Sequence, residues 1–313
     1  MLDGLAIVVV NYASAALLSQ NVVRVQAEAP EARIVVVDNY STRAERELIR
    51  DIAARHGWAL IEVETNSGFG GGVNAGVQHA LGGGATDLLL LNPDAWVSRD
   101  ALLRLADAVA FNRRSMAAPV ILTSSGRTWF DGNDLYLADG RMRRRANRAR
   151  HPEASVEAWL TGACLWITKE TWQATGAFEE SYFLYWEDVD YSVRAARAGC
   201  ELIVVANAIA VHDEGGTQAG DRRPEAKSNT YYYYNIRNRL LFAARNFDAD
   251  TVSRWRRKDL EHARLVLLRG GRGQFLRPWG PIVAATRGIL DGRRMAAAIL
   301  HPGLGCSVPA GGK

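Results

Sequence analysis

Hydrophobic residues in the first third of the chain come in short runs. Ala6–Val10, Ile34–Val37 and Leu88–Leu91 are apolar from end to end, and Leu60–Val63 is apolar but for Glu62. A continuous apolar run of strand length suits a parallel strand buried on both faces. Helix-like segments lie around 14–28, 43–56 and 72–81. This rhythm predicts an α/β fold with an open, mostly parallel central sheet flanked by helices. Residues 159–212 read as strand, helix, loop, helix, strand, the last strand being the apolar run Leu202–Val211. Residues 123–158 are polar, with turn signals at Asp131-Gly132 and Asp139-Gly140 ahead of a run of arginines from Arg141 to Arg150. They read as a hairpin-like insertion or a mobile loop. From about 251 the chain looks helical again, with a break at Gly270–Gly273. The expected organisation is an α/β domain over 1–250 and a basic, mainly helical extension over 251–313.

In open α/β sheets, ligands bind beyond the carboxyl ends of the strands. Every such end here is polar. Asn11 and Tyr12 follow the first run, and Asp38, Asn39 and Ser41 the second. Asn66 and Ser67 come after the third, and Asn92, Pro93 and Asp94 after the fourth. Two carboxylates and several amides on one sheet edge predict a polar ligand site.

Asn92-Pro93-Asp94 could hold a divalent ion against a diphosphate, because Mg²⁺ and Mn²⁺ prefer oxygen ligands and combine one or two carboxylates with phosphate oxygens. Asn-Pro-Asp is equally an ordinary turn. The stretch from Asn66 to Gly76 is a glycine-rich strand-to-helix turn, suited to close backbone approach and to anions at a helix start. It departs from the dinucleotide fingerprint: Val73 stands where the third glycine belongs, and the turn follows the third strand. Glu187, Asp188 and Asp190 place three carboxylates within four residues, behind Tyr185 and Trp186. One acid there would be explained by the helix dipole. Three after aromatics suggest a tuned general base. His212, at the end of an apolar run, is a structural histidine or a ligand. Four consecutive tyrosines, Tyr231 to Tyr234, precede Arg237 and Arg239. Part of this segment must be core, and the rest could stack on a sugar or pair with phosphate.

Composition narrows the class. With 48% hydrophobic and 23% charged residues, the chain is an ordinary globular one. Cys164, Cys200 and Cys306 form no CxxC pair, so free thiols in a reducing cytoplasm are expected. No run has the length of a signal-peptide core or a membrane span, which predicts a cytosolic protein. Charge is uneven: residues 251–313 hold twelve Lys/Arg against three Asp/Glu, a net of +9, while the whole chain is +4, leaving −5 for residues 1–250. The basic tail, with Arg254-Trp255-Arg256-Arg257-Lys258, suggests an anionic membrane surface as partner, with a solvated tail or a homodimer as alternatives. No nucleic-acid recognition motif accompanies the arginines, and none is expected to bind there.

Taken together, these segments resemble the family 2 glycosyltransferases of the GT-A fold, in the rhamnosyltransferase-like branch. The matching pieces are Val8 to Tyr12, Val35 to Ser41, Asn66 to Gly76, Leu90 to Asp94, Thr161 to Cys164, Gly176 to Asp190, the segment ending at His212, and Tyr234 to Arg239. They run in family order across about three quarters of the chain. The resemblance implies roles. Asp38 would recognise a pyrimidine base, helped by Tyr12 beside Asn11. Asn66 and Asn74, with Gly68, would order the nucleotide-side loop. Gly162 and Ala163 would line the donor sugar pocket. Asp94 would bind the metal next to Asn92, and His212 would complete the metal or diphosphate site. Asp188 would be the catalytic base and Glu187 its neighbour on the acceptor side, with Trp186, Arg237 and Arg239 as acceptor or phosphate contacts. The implied donor is dTDP-rhamnose or a UDP-sugar, and the implied acceptor a glycan or lipid-linked hydroxyl. Departures are Phe178-Glu179-Glu180, where relatives often have Phe-Asp-Glu, and the missing polymer-synthase signature, which disfavours processive synthesis. Two competing readings are a non-catalytic sugar-nucleotide or glycan-binding subunit and a nucleotidyltransferase. The latter needs a basic, glycine-rich loop after the first strand, where this chain has Asn11 to Ala15.

Overall fold

The computed structural model describes residues 2–212, 227–271 and 279–301. Cys306 and part of the expected Gly270–Gly273 break lie outside them. The chain divides into two compact units, Met1–Leu135 with Met142–Asp221, and Tyr136–Arg141 with Arg222–Lys313.

The first unit opens with β1 (Leu5–Asn11), whose seven residues are all buried. A helical run follows: α1 (Ala15–Leu17), a wider turn over Leu18–Val22, and α2 (Val23–Glu28). Next come β2 (Arg33–Asp38), α3 (Arg43–His56), β3 (Ala59–Glu62), α4 (Gly68–Gly82) and β4 (Asp87–Leu91). The Thr42 hydroxyl caps α3 by accepting from the Glu45 amide, and Gly57 ends it at φ 69°. Parallel pairing of β3, β2, β1 and β4 in that order confirms the expected sheet. Beyond it lie β5 (Ala95–Val97), α5 (Arg99–Ala110) and β6 (Ser115–Leu122). The polar insertion is folded as β7 (Thr128–Phe130), β8 (Asn133–Tyr136) and β9 (Arg141–Arg144), then a 3₁₀ segment Arg145–Arg150 and β10 (Val156–Trp159). β10, β8 and β9 form a small sheet of their own. Its arginines are largely committed: Arg144 pairs with Asp131 at 2.6 Å and Arg148 with the buried Asp134 at 2.6 Å.

The main sheet is completed by β11 (Cys164–Thr168), antiparallel to β4 and β6, and by β12 (Glu201–His212). β12 runs parallel to β6 and antiparallel to β5. Between them lie α6 (Lys169–Thr175) and α7 (Glu187–Arg197).

The glycine-rich segment is helical from Gly68 onward, four residues before the expected start. Glycine weakens a helix by up to about 1 kcal/mol relative to alanine, so propensity alone argues against this. Close packing overrides it. A Cβ on Gly72 would sit 2.6 Å from Val10 Cγ1, so α4 can lie on β1 only without side chains on that face.

The second unit contains α8 (Asn229–Asn246), α9 (Ala249–Arg257), α10 (Asp259–Leu268) and α11 (Gly280–Leu300). Its core joins Tyr232 and Ile236 of α8 to Ala263, Val266 and Leu267 of α10 and Ala285 and Ile289 of α11. The boundary was expected at 250. The charge shift begins there, but apolar packing ties α8 to the helices that follow it.

Candidate functional site

Register decides what meets at the sheet edge. Asn11 and Asp38 are partners across β1 and β2. The Asn11 side chain is fully buried, and neither its amide oxygen nor its nitrogen has a hydrogen-bond partner. Buried amides are normally satisfied, so Asn11 is set to receive a ligand or water. Tyr12, one residue further, is half exposed. Asp38 is buried and ion-paired with Arg46, which also donates to the Val63 carbonyl and lies 4.7 Å from the Tyr40 ring. The Asp38 carboxylate is therefore already paired with a guanidinium.

Asn39 had drawn no role in the sequence beyond its place at a strand end. It fastens the glycine-rich turn. Its Oδ1 accepts from the Ser67 amide (3.0 Å) and hydroxyl (2.9 Å), and its Nδ2 donates to Gly68 O (2.9 Å) and Asn66 Oδ1 (3.1 Å). Asn66 Oδ1 also accepts from the Gly68 amide at 2.9 Å. Asn74 does not join this network. Its side chain accepts from Phe178 N (2.8 Å) and donates to Phe178 O (2.9 Å) and Glu180 Oε1 (3.0 Å). It ties α4 to the segment before α7, not to the turn it was expected to order.

That segment is strained. Phe183, Tyr185 and Trp186 have φ of 64°, 66° and 76°. Such values are costly for bulky residues and persist only when the surroundings enforce them. The enforcing contact is the glycine turn: Phe69 N donates to Phe183 O at 2.7 Å, and a Cβ on Gly68, itself at φ 77°, would collide with that carbonyl. Trp186 is buried and starts α7 with its left-handed backbone, instead of presenting its ring to an acceptor.

Two residues on, the half-buried Asp188 accepts from Gly162 N at 3.2 Å and Val189 N at 2.8 Å. Burial pushes its carboxyl up to about 6, against the opposing pull of these amides. Burial, and then the Asp188 charge, hold the Glu187 carboxyl well above the usual range, and its Oε2 has no hydrogen-bond partner. The third acid is structural: Asp190 accepts from the Tyr182 hydroxyl (3.1 Å) and Arg194 Nε (2.7 Å).

A continuous path runs from Asp188 to the other acid of the edge. Gly162 is followed by Ala163, whose carbonyl accepts from Asn92 N at 2.9 Å. Asn92 Nδ2 lies 3.4 Å from His212 Nε2, which is 3.1 Å from Asp94 Oδ1. β12–β5 pairing sets His212 opposite Ala95 and so brings it to Asp94 across 118 residues of sequence. Although close, Asp94 Oδ1 receives no aligned hydrogen bond, and it is buried.

The family model for glycosyl transferase family 2 matches residues 6–164, just over half of the chain and most of this edge. The chain belongs to that family. Among curated relatives, the low-salt glycan biosynthesis hexosyltransferase Agl10 of Haloferax volcanii is 25% identical over 77% of this chain and 76% of its own. The dTDP-rhamnosyl transferase RfbF of Shigella flexneri is 21% identical over 68% and 71%. Among solved structures, the mannosyltransferase PcManGT from Pyrobaculum calidifontis, in complex with GDP-Man and Mn²⁺, superposes with a TM-score of 0.55 at 15% identity, covering 96% of this chain and 87% of that one. GalNAc-T7 with UDP, GalNAc and Mn²⁺ gives a TM-score of 0.59 at 13% identity, covering 96% and 56%. The fold is therefore GT-A, and the protein is a glycosyltransferase.

The glycosyltransferase's Asp94 and His212 fit a divalent cation as a partial donor set. An orphaned buried carboxylate oxygen and an imidazole nitrogen lie close enough to share one ion. Among the described residues no cluster of three or more His, Cys, Asp or Glu could hold a metal, so remaining ligands would come from diphosphate oxygens and water, as Mg²⁺ and Mn²⁺ allow. Arg239 departs from its expected role. It is buried in the second unit, where its guanidinium donates to Asp259 Oδ1 (3.2 Å), Trp255 O (3.1 Å) and Asp139 O (2.6 Å). Burial pushes it down to about 10, partly offset by Asp259. Arg237 is also buried, with Nε donating to Asn238 Oδ1 at 2.7 Å and its guanidinium 4.6 Å from the Tyr234 ring.

Proposed function

We propose that this glycosyltransferase moves a sugar, with inversion, from a nucleoside diphosphate donor to a hydroxyl of a glycan or lipid-linked acceptor in cell-surface polysaccharide synthesis. The favoured donor is dTDP-rhamnose, by analogy with RfbF, and a UDP-hexose or UDP-N-acetylhexosamine is the alternative. The observation carrying this reading is the chain of contacts that runs from Asp188 through Gly162, Ala163 and Asn92 to His212, which lies 3.1 Å from Asp94 Oδ1. It joins a carboxylate whose proton affinity burial raises to a candidate cation site on the same sheet edge.

In this reading the donor base stacks at Tyr12, with Asn11 and the Arg46-paired Asp38 supplying polar contacts. The turn held by Asn39 and Asn66 fixes the nucleotide side, and Gly162, whose amide donates to Asp188, lines the sugar pocket. Asp94 and His212 would hold Mg²⁺ or Mn²⁺, whose charge offsets the negative charge gathering on the departing diphosphate. Asp188 accepts the acceptor's hydroxyl proton. The acceptor oxygen bonds to the anomeric carbon from the opposite face, and the bond to the diphosphate oxygen breaks with its electron pair on the nucleotide. Glu187, whose carboxyl burial and the Asp188 charge hold well above the usual range, stands beside it on the acceptor side.

The test is a donor screen by calorimetry with dTDP-rhamnose and UDP- and GDP-sugars, with and without Mn²⁺. A metal-dependent response to dTDP-rhamnose, abolished in Asp94→Ala, is expected. Response to a UDP-sugar alone would replace the donor. Unchanged metal dependence in Asp94→Ala would remove the ion from that residue.

A further inference from the structure

Of the twelve large hydrophobic side chains exposed among the described residues, seven belong to the second, smaller unit. They are not scattered. On α11, Val283, Arg287, Leu290 and Arg294 recur at spacings of four, three and four, one face of a helix, and all four are exposed. The opposite face is Ala285, Gly288, Ile289, Gly292 and Ala296, all buried. Two glycines there let α11 close on α8: a Cβ on Gly288 would meet Tyr233 O at 2.7 Å, and one on Gly292 would meet Arg237 O at 2.8 Å. The orientation of α11 is thus fixed by its small residues, and Val283 and Leu290 are held outward. α10 repeats the pattern with exposed Leu260, Arg264 and Leu268 at i, i+4 and i+8. Trp279, 74% exposed, stands immediately before α11.

Charge tells what meets this face. The acids of α10 and α11 are all engaged: Asp259 by Arg239 and Arg293, Glu261 by Arg141, and Asp291 by the Tyr233 hydroxyl, with Arg294 3.6 Å away. Arg264 and Arg287 have no ion-pair partner among the described residues. A second copy docking by a two-fold axis would set these arginines against themselves. Apolar residues interleaved with arginine and edged by tryptophan suit a lipid headgroup layer, and no described helix is long and apolar enough to cross a membrane.

We infer that the exposed face of α11, continued by α10, rests in the plane of an anionic bilayer surface. Leu290 and Val283 enter the acyl boundary, and Arg287 and Arg294 contact lipid phosphates. This relocates the contact expected from Arg254 to Lys258, because Trp255 of that stretch is fully buried, donating to Leu137 O at 2.8 Å. The inference is independent of donor and acceptor identity.

The full chain is to be sedimented with vesicles of phosphatidylcholine alone and of phosphatidylcholine mixed with phosphatidylglycerol. Binding only to the mixed vesicles, weakened by salt, is expected. Arg287→Glu with Arg294→Glu should lower the partition coefficient by about tenfold or more. Val283→Ser with Leu290→Ser should lower it even at low salt, with circular dichroism confirming the helical content of both variants. Equal binding to neutral vesicles, or no loss in the charge-reversed variant, overturns the inference. So does a concentration-dependent dimer, broken by the serine variant, in a chain that ignores vesicles.

Discussion

A single carboxylate is where the chemistry of this protein can be measured most directly. Burial disfavours the charged form of Asp188 and pushes its carboxyl up to about 6. As the proposed base, Asp188 must be unprotonated to work, so kcat should rise with pH through about 6. Asp188→Asn should lower kcat by roughly 10²–10⁴ while donor binding stays. Stability supplies a second readout of opposite sign. A carboxyl raised on folding binds its proton more tightly in the native state, so it costs stability as pH rises from the unfolded value toward 6. The asparagine variant should therefore melt a few degrees higher than wild type at pH 7, and the gap should close as pH falls toward 4. A melting difference independent of pH would detach Asp188 from the perturbed titration. Legibility at this scale was mixed. Asp188, Glu187, Asp94 and His212 stood out as acids or imidazole at element ends. Asn39 did not, because an amide after a strand looks like any turn residue until the Ser67 and Asn66 contacts are in view.

Between residue and molecule lies the coupling of α4 to α7. The glycine turn presses on Phe183, and the strained turn from Phe183 to Trp186 aims Asp188. Gly68→Ala adds a Cβ both at φ 77° and against the Phe183 carbonyl. It is expected to shift the turn, lower kcat more than it raises the donor KM, and move the pH–rate midpoint, since the Asp188 environment changes. A pure loss of donor affinity with kcat and midpoint intact would show that Gly68 serves the donor alone. Gly72→Ala, by contrast, forces α4 from Val10 and should cost about 1–3 kcal/mol, read by denaturant unfolding. The glycine-rich composition of this helix was plain in the sequence. Its helical start at Gly68 was not, since intrinsic propensity predicts a loop there and only the packing distance to β1 reverses that preference.

For the whole molecule, the two units differ in what holds them. The first is a buried sheet of Val, Ile and Leu. The second is a small helical core built around an internal ion cluster, with Asp259 set between Arg239 and Arg293 at 3.2 and 2.8 Å. Removing one partner of a buried pair strands the other charge, at about 3–5 kcal/mol. Asp259→Asn should lower the unfolding transition of the helical unit in scanning calorimetry while the sheet-bearing unit melts as before. One unshifted transition would show that the cluster contributes nothing measurable. Arg239 lies in this cluster because it follows the tyrosines on α8, a helix whose apolar face packs against α10 and α11.

The sequence alone determined the strands of the parallel half, the polar sheet edge and the acids placed along it. Each of these follows from local periodicity and from residues adjacent to element ends. Tertiary structure decided which distant residues meet: His212 with Asp94, Asn74 with Phe178, Asp38 with Arg46, and α8 with the C-terminal helices. Such pairings depend on strand register and on helix faces in contact. Period and composition state which residues are buried or exposed, but not against what.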